Sequence, residues 1–288
     1  MGRFDGKVAL VTGGGNGMGR HIALMLAAEG AKVVVNDINT WGPEDAQNVA
    51  KEINDAGGVA VANVGDIGTM EGGKAAVQAA IDNFGKIDLL ALIAGTVIKK
   101  PVDEMTEEEY DRVCNTNAKG IFSVVHYAAP YLKEQGYGRI CIFASRAAFG
   151  NGKSCAYSAG KAGAMGLGAE LGYELTPFGI KTNTILPAAV TNLFPASKAA
   201  YDATPKPWPE GPDMTAPFAC WLLSEECCCS GEFFFCAGTD VCLYPRSRTP
   251  IGIIRKGNYE KWTLDELDHM IPETFGWYFD TKASKSAR

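Results

Sequence analysis

Histidine and positive charge are both scarce in this chain. Its 288 residues include 3 histidines, and 27 lysines and arginines stand against 33 aspartates and glutamates, for a formal net charge of -6. Proteins that bind nucleic acids need a basic surface to neutralise phosphate charge. The one late basic cluster, between Arg246 and Lys256, is too thin to supply such a surface. We therefore expect no nucleic-acid partner.

A secretory leader and a membrane segment are also missing. The stretch from Met1 to Lys7 is polar and runs directly into a strand-like segment. No apolar run is long enough to span a bilayer. These features predict a cytoplasmic protein with no membrane partner.

The cysteines lack the spacing of a disulfide framework or a zinc site. There are nine, three of them adjacent at Cys227, Cys228 and Cys229. Structural zinc sites need pairs separated by two to four residues together with a second pair or histidines, and no histidine is near this run. We expect reduced thiols, a reducing compartment and no metal site.

What the chain does contain is a regular alternation of short apolar runs and longer amphipathic stretches. The predicted strands are 8–11, 32–36, 59–64, 89–93, 140–144, 181–186 and 233–236. The predicted helices are 18–29, 44–56, 71–84, 107–133, 156–175 and 214–224. This alternation predicts an α/β fold of the Rossmann type, a doubly wound, seven-stranded parallel sheet with helices on both faces.

The alternation extends over one domain, predicted at 1–243, and breaks in two places. Segment 192–212 carries five prolines with Phe194, Tyr201 and Trp208, which predicts an irregular substrate loop. Segment 244–288 is rich in aromatic residues. We expect it to be a C-terminal extension that docks on the domain or on a neighbouring subunit.

A glycine-rich turn follows the first predicted strand. Gly13, Gly17 and Gly19 are spaced as Gly-x-x-x-Gly-x-Gly and lead into a helix. Glycines let a backbone approach a pyrophosphate closely, and the helix N-terminus offers it unpaired N–H groups. A turn of this kind can also be a tight connection and nothing more.

Asp37 ends the second strand about twenty residues later. An acidic side chain there can accept hydrogen bonds from the adenosine ribose hydroxyls. Its carboxylate would repel a 2'-phosphate, and Asn16 in the turn supplies no positive charge to attract one. The pattern favours NAD over NADP.

Tyr157 and Lys161 are four residues apart on a predicted helix. Residues at this spacing share a face, so the Lys161 ammonium can favour the Tyr157 phenolate and lower a pKa that is normally about 10. Such a tyrosine can exchange a proton at ordinary pH. Alone, the pair is common on exposed helices.

Taken together, these motifs resemble those of the short-chain dehydrogenase/reductase family, from about residue 5 to about residue 240. In chain order they are the glycine turn, Asp37, Asp66, Ala94-Gly95, Asn117 with Gly120, Ser145, and Tyr157 with Lys161. Within the family, segments 33–38, 136–140, 183–187 and 216–222 look most like the (3R)-hydroxyacyl-CoA dehydrogenase modules of multifunctional enzymes and bacterial hydroxysteroid dehydrogenases.

The resemblance implies a catalytic set of Asn117, Ser145, Tyr157 and Lys161. Tyr157 would exchange the proton of the substrate oxygen, Ser145 would orient that oxygen, and Asn117 would hold a water linked to Lys161. The implied cofactor-binding residues are Gly13, Asn16, Gly17, Met18, Gly19, Asp37, Asp66, Ile67, Ala94, Gly95, Tyr157, Lys161, Pro187, Val190 and Thr191. The resemblance also implies a homotetramer or homodimer, assembled through the helices that carry Asn117 and Tyr157.

Two departures from the family pattern affect the cofactor site. Leu92-Ile93-Ala94-Gly95 lacks an amide that is expected to join the sheet, and Ala188 replaces a glycine after Pro187. Arg146, directly after Ser145, is either a surface residue or a selector of anionic substrates.

These features predict an NAD-dependent oxidoreductase that interconverts a secondary alcohol and a ketone. Aromatic residues in the predicted loop favour a bulky lipophilic substrate, a hydroxysteroid or bile acid. A (3R)-hydroxyacyl-CoA is the alternative, which would need basic groups near the cleft. A catalytically inactive dinucleotide-binding protein is a third possibility, which the intact catalytic set disfavours.

Overall fold

An eight-stranded sheet forms the centre of the described part of the chain. The computed structural model describes residues 2–40, 42–152, 154–193 and 211–244. The strands are β1 (Val8–Thr12), β2 (Lys32–Asp37), β3 (Val59–Val64), β4 (Leu89–Leu92), β5 (Gly138–Phe143), β6 (Ile180–Ala188), β7 (Phe233–Ala237) and β8 (Asp240–Leu243). Most of the predicted substrate loop and the extension beyond Tyr244 lie outside the described residues.

The strand order is β3-β2-β1-β4-β5-β6-β7-β8, and every pair is parallel except β7 and β8. The chain winds outward in both directions from the neighbours β1 and β4. This reversal opens a crevice at the carboxyl ends of the strands, where ligands bind in folds of this type.

The predicted count of seven strands was one too low. The additional strand, β8, returns antiparallel along β7, and all four of its residues are exposed. Because it has no buried face, it shows none of the apolar pattern from which the other strands can be predicted.

Helices cover both faces of the sheet, as predicted. They are α1 (Gly17–Ala28), α2 (Asp45–Asp55), α3 (Met70–Phe84), α4 (Glu107–Cys114), α5 (Gly120–Gln135), α6 (Cys155–Glu174) and α7 (Ala216–Leu223). Side chains alternate across each strand, so Ala9 and Val11 pack with α1, α2 and α7, while Val8 and Leu10 pack with α3, α5 and α6. None of the helices in the described ranges is long and apolar enough to cross a membrane.

The predicted continuous helix 107–133 is interrupted in the structure. It starts at the expected capping box of Thr106 and Glu109, but a π-helical turn, Asn115–Lys119, separates α4 from α5. Asn117 lies within that turn and donates from its side chain to the main-chain oxygen of Val113 at 2.8 Å. Turns of this type are frequent at functional sites.

Thr12 joins the ends of the two central strands. Its buried hydroxyl accepts hydrogen bonds from the N–H groups of Ile93 at 3.1 Å and Ala94 at 3.3 Å. These bonds fix the start of the Ala94-Gly95 segment to β1, although the family's amide is missing there.

Candidate active site

A cleft of about 240 Å³ opens at the carboxyl ends of the central strands. It brings together most of the site residues predicted from the sequence. These are Gly13, Asn16, Gly17, Met18, Asp37, Asp66, Ile67, Ala94, Gly95, Ser145, Tyr157, Lys161, Pro187 and Thr191. The other three, Gly19, Asn117 and Val190, are buried and do not line the cleft.

The glycine turn packs so closely on its surroundings that side chains would not fit. Gly13 has a φ of 66°, and a Cβ atom there would lie 2.9 Å from Ala94 Cα. A Cβ atom at Gly19 would collide with the main-chain oxygen of Gly13. The turn therefore keeps the N-terminus of α1 close to the cleft, in the arrangement that binds a pyrophosphate.

Asp37 is held in place by the main chain. Its Oδ2 accepts a hydrogen bond from the N–H of Gly15, and its Oδ1 accepts one from the N–H of Asn39, both at 3.0 Å. Burial raises the pKa of the Asp37 carboxyl more than these hydrogen bonds lower it. Asp37 shares the cleft wall with Ile38 and Thr40, neither of which is charged.

Asp66 and Ile67 form another part of the cleft wall, and hydrogen bonds hold this part in place as well. Asp66 Oδ1 accepts a hydrogen bond from the N–H of Gly68 at 2.8 Å, and the Ser123 hydroxyl donates to the main-chain oxygen of Ile67 at 2.7 Å. The α5 helix, which carries Ser123, thus anchors the loop after β3.

Tyr157 and Lys161 lie on the first two turns of α6, and each is only 4% exposed. Lys161 Nζ donates to the main-chain oxygen of Phe143 at 2.7 Å and lies 5.8 Å from the centre of the Tyr157 ring. The Ser145 hydroxyl accepts from the N–H of Ala147 at 3.1 Å and is also hydrogen-bonded to Tyr157.

Burial disfavours the charged forms of both side chains. It raises the pKa of Tyr157, which the hydrogen bond with Ser145 partly offsets. It lowers the pKa of Lys161 to about 8. At neutral pH Lys161 therefore remains mainly protonated. The lowering of the Tyr157 pKa predicted from the four-residue spacing was wrong, because burial raises this pKa and outweighs the hydrogen bond with Ser145.

Asn117 is fully buried behind this pair. Its Nδ2 donates to the main-chain oxygens of Thr96 at 2.7 Å and Val113 at 2.8 Å. Within the described parts of the chain, its Oδ1 has no hydrogen-bond partner. A Cβ atom at Gly95 would lie 2.8 Å from that oxygen and 3.3 Å from Lys161 Nζ, so both atoms face the same glycine. A buried acceptor of this kind is typically satisfied by an ordered water.

Two residues that line the cleft, Arg112 and Thr116, were missed in the sequence. They lie one helical turn apart and face the cleft from α4 and the π-helical turn. Asn192 and Leu193, the first two residues of the predicted substrate loop, also line the cleft. The four-residue spacing of Arg112 and Thr116 was the only available signal. Arg146, by contrast, is exposed, and its guanidinium lies 4.4 Å from the centre of the Phe235 ring. It is a surface residue that does not line the cleft.

A crevice with a glycine turn at one side and a buried Tyr-Lys pair at the other is typical of dinucleotide-dependent oxidoreductases. The profile of the short chain dehydrogenases matches residues 7–201. This chain therefore belongs to the short-chain dehydrogenase family, whose members are oxidoreductases acting on CH–OH groups.

Relatives with informative names fall in the same family. Peroxisomal multifunctional enzyme type 2 of Mus musculus is 35% identical over 265 residues, which cover 89% of this chain and 35% of that enzyme. The chain thus spans about a third of this relative's length. The 2-dehydro-3-deoxy-L-rhamnonate dehydrogenase (NAD(+)) of a Sphingomonas species is 34% identical over 78% of this chain and 91% of its own. The crystal structure of a short chain dehydrogenase from Mycobacterium avium superposes with a TM-score of 0.84, at 32% identity and 96% coverage of both chains.

Proposed function

We propose that this protein is an NAD-dependent oxidoreductase that interconverts a secondary alcohol and a ketone on a bulky lipophilic substrate. The observation that carries the proposal is one cleft with Asp37 and the glycine turn on its walls together with Ser145, Tyr157 and Lys161. A dinucleotide can reach from a ribose-binding carboxylate to a proton-exchanging phenol in such a cleft.

The residues fit the dinucleotide because the turn at Gly13 and Gly19 leaves no room for side chains. When bound, NAD supplies a nicotinamide ring that accepts a hydride. In the oxidation direction, Tyr157 takes the hydroxyl proton of the substrate as the carbon–oxygen double bond forms. The Ser145 hydroxyl orients the substrate oxygen, and Lys161 stabilises the Tyr157 phenolate. Asn117 would hold, through Oδ1, a water linked to Lys161, by which the proton taken by Tyr157 can leave the site.

The choice of NAD over NADP follows from Asp37. Its two carboxylate oxygens are fixed by main-chain N–H groups, so the side chain cannot swing away easily from a 2'-phosphate. The neighbouring Ile38 and Thr40 supply no positive charge to attract one. The relative from Sphingomonas carries NAD(+) in its name, which also supports this choice.

Two substrate classes remain, a hydroxysteroid or bile acid and a (3R)-hydroxyacyl-CoA. Aromatic residues of the predicted 192–212 loop support the first. The likeness to hydroxyacyl-CoA dehydrogenase modules, and to the multifunctional enzyme of mouse, supports the second. A spectrophotometric screen at fixed NAD and then NADP, with hydroxysteroids, bile acids and 3-hydroxyacyl-CoAs, tests both. Rates far higher with NADP, or no turnover with any secondary alcohol, would contradict the proposal.

We further propose a homodimer or homotetramer built on α5 and α6. A surface groove of about 300 Å³ lies between these helices, and Phe122 at its edge is 48% exposed. Light scattering coupled to size-exclusion chromatography tests this, with Phe122→Glu expected to weaken association. A monomer at micromolar concentration would exclude it.

The cytoplasm is the proposed location. All nine cysteines are free thiols, as a reducing compartment would keep them. Because several relatives are named peroxisomal, fractionation of cells carrying the tagged protein tests the compartment.

A further inference from the structure

Two asparagine side chains meet beside the glycine turn. Asn192 Nδ2 donates to Asn16 Oδ1 at 3.0 Å, although the residues are 176 positions apart in the sequence. Both residues line the cleft. The bond therefore connects the glycine turn, on one side, to the segment that follows β6, on the other.

The Asn16 side chain makes this bond and does not cap the N-terminus of α1. It occupies the N-cap position of α1, where asparagine normally accepts a hydrogen bond from the first turn of the helix. Here its backbone is extended, with a φ of -151°, and its side chain makes no capping bond. Its carbonyl oxygen accepts from Asn192 instead, so the asparagine leaves the helix N–H groups to another acceptor.

The two segments also lie close together beside this bond. A Cβ atom at Gly17 would lie 3.6 Å from Thr191 Cγ2, which is ordinary van der Waals distance. Val190 is only 7% exposed and anchors the segment against the protein interior. The hydrogen bond between the two asparagines therefore lies where these segments run close together.

We propose that Asn16 and Asn192 form a clasp across the dinucleotide groove, which opens before the dinucleotide leaves. The inference rests on the proposed function, since the ligand held beneath the clasp is the pyrophosphate part of a nicotinamide dinucleotide at the N-terminus of α1. Asn192 is also the first residue of the predicted substrate loop.

The test is the rate at which NADH leaves the protein. Protein loaded with NADH is mixed with excess NAD, and the loss of NADH fluorescence is followed by stopped flow. Loss of one neutral hydrogen bond accelerates release by roughly fivefold in Asn16→Ala and in Asn192→Ala. The double variant releases NADH no faster than the single variants, because all three lack the same bond. Unchanged release in the single variants, or accelerations that multiply in the double variant, would overturn the clasp.

Two further variants separate the clasp from a general loss of structure. Asn192→Leu keeps a side chain of similar size and shape, removes the donor nitrogen and adds no charge, so it accelerates release to the same extent as Asn192→Ala. Asn83→Ala is the matched control, because Asn83 is exposed and its side chain donates to the main-chain oxygen of Ala79 at 2.8 Å on α3. Its release rate stays at the parent value. If the parent itself binds no NADH, the proposed function fails; if the parent binds NADH and the accelerations multiply, only the clasp fails.

Discussion

Lys161 Nζ donates a hydrogen bond to the main-chain oxygen of Phe143 at 2.7 Å, which ties the helix carrying Tyr157 to the end of β5. Ser145 follows two residues after Phe143 and hydrogen-bonds Tyr157. One bond from Lys161 therefore helps to set the geometry of the whole group that would handle the substrate oxygen.

Tyr157→Phe should remove the proton exchange and preserve the fold. The ring is buried and stays in place, whereas the hydroxyl is lost. We expect kcat to fall by roughly 100- to 10,000-fold with NADH binding retained. Steady-state kinetics and NADH fluorescence titration measure the two effects. Turnover at the parent rate would refute the role of Tyr157.

Lys161→Met should change how stability depends on pH. The pKa of Lys161 is about 8 in the folded protein, below the 10.5 of an exposed lysine. Between these pH values the unfolded chain binds the additional proton, so the parent gains stability as pH rises from about 8 to about 10.5. The variant lacks this gain, so its melting temperature relative to the parent should fall over that range.

Thermal unfolding from pH 7 to pH 10 measures the effect, with the exposed Lys119→Met as control. If the difference in melting temperature between Lys161→Met and the parent stayed constant with pH, Lys161 would not be a buried ammonium with a lowered pKa.

Asp37→Ser should relax the choice between the two nicotinamide dinucleotides. The substitution removes the carboxylate that is proposed to oppose a 2'-phosphate and to bind the ribose hydroxyls. We expect the ratio of kcat/KM for NAD to that for NADP to fall by about tenfold or more, which corresponds to about 1.4 kcal/mol. Asp82→Ser, on the outer side of α3, serves as the control because Asp82 is exposed, lies away from the cleft and accepts a hydrogen bond from the Gln78 side chain. An unchanged ratio would show that Asp37 does not select between NAD and NADP.

Two glycine substitutions should change the free energy of unfolding in opposite directions. Gly19→Ala places a Cβ atom against the main-chain oxygen of Gly13, and we expect it to cost about 1–3 kcal/mol and to weaken NADH binding. Gly166→Ala lies on the exposed side of α6 with open space around its Cβ position. It should raise the free energy of unfolding by about 0.5–1 kcal/mol. Urea denaturation compares the two, and equal destabilisation would refute the close approach at Gly19.

Most of the features that could be predicted from the sequence depend on local patterns of residues. The strands with buried faces, the glycine turn and the capping box at Thr106 each depend on neighbouring residues. The same holds for Asp37, whose position follows from the end of β2. The placement of these residues around one cleft then follows from the parallel order of the strands.

Features that depend on distant contacts could not be predicted. The bond between Asn16 and Asn192 joins residues 176 positions apart and has no periodic signal. The π-helical turn depends on Thr96, whose main-chain oxygen accepts from Asn117, and on Gly160, where a Cβ atom would lie only 2.9 Å from Asn117 Cβ. Burial, which no helical spacing reveals, sets the direction of the Tyr157 pKa.

The π-helical turn also affects how this chain can change its length. A π-helical turn holds one residue more than an α-helical turn, so removing one residue from Asn115–Lys119 would restore regular winding and leave α4 and α5 with nearly the same faces toward the core. Ile121 and Val124 would keep their places in the core, whereas Asn117 would lose the extra residue that places it behind Lys161. A single-residue deletion in these five positions should therefore preserve the fold and change the surroundings of Lys161.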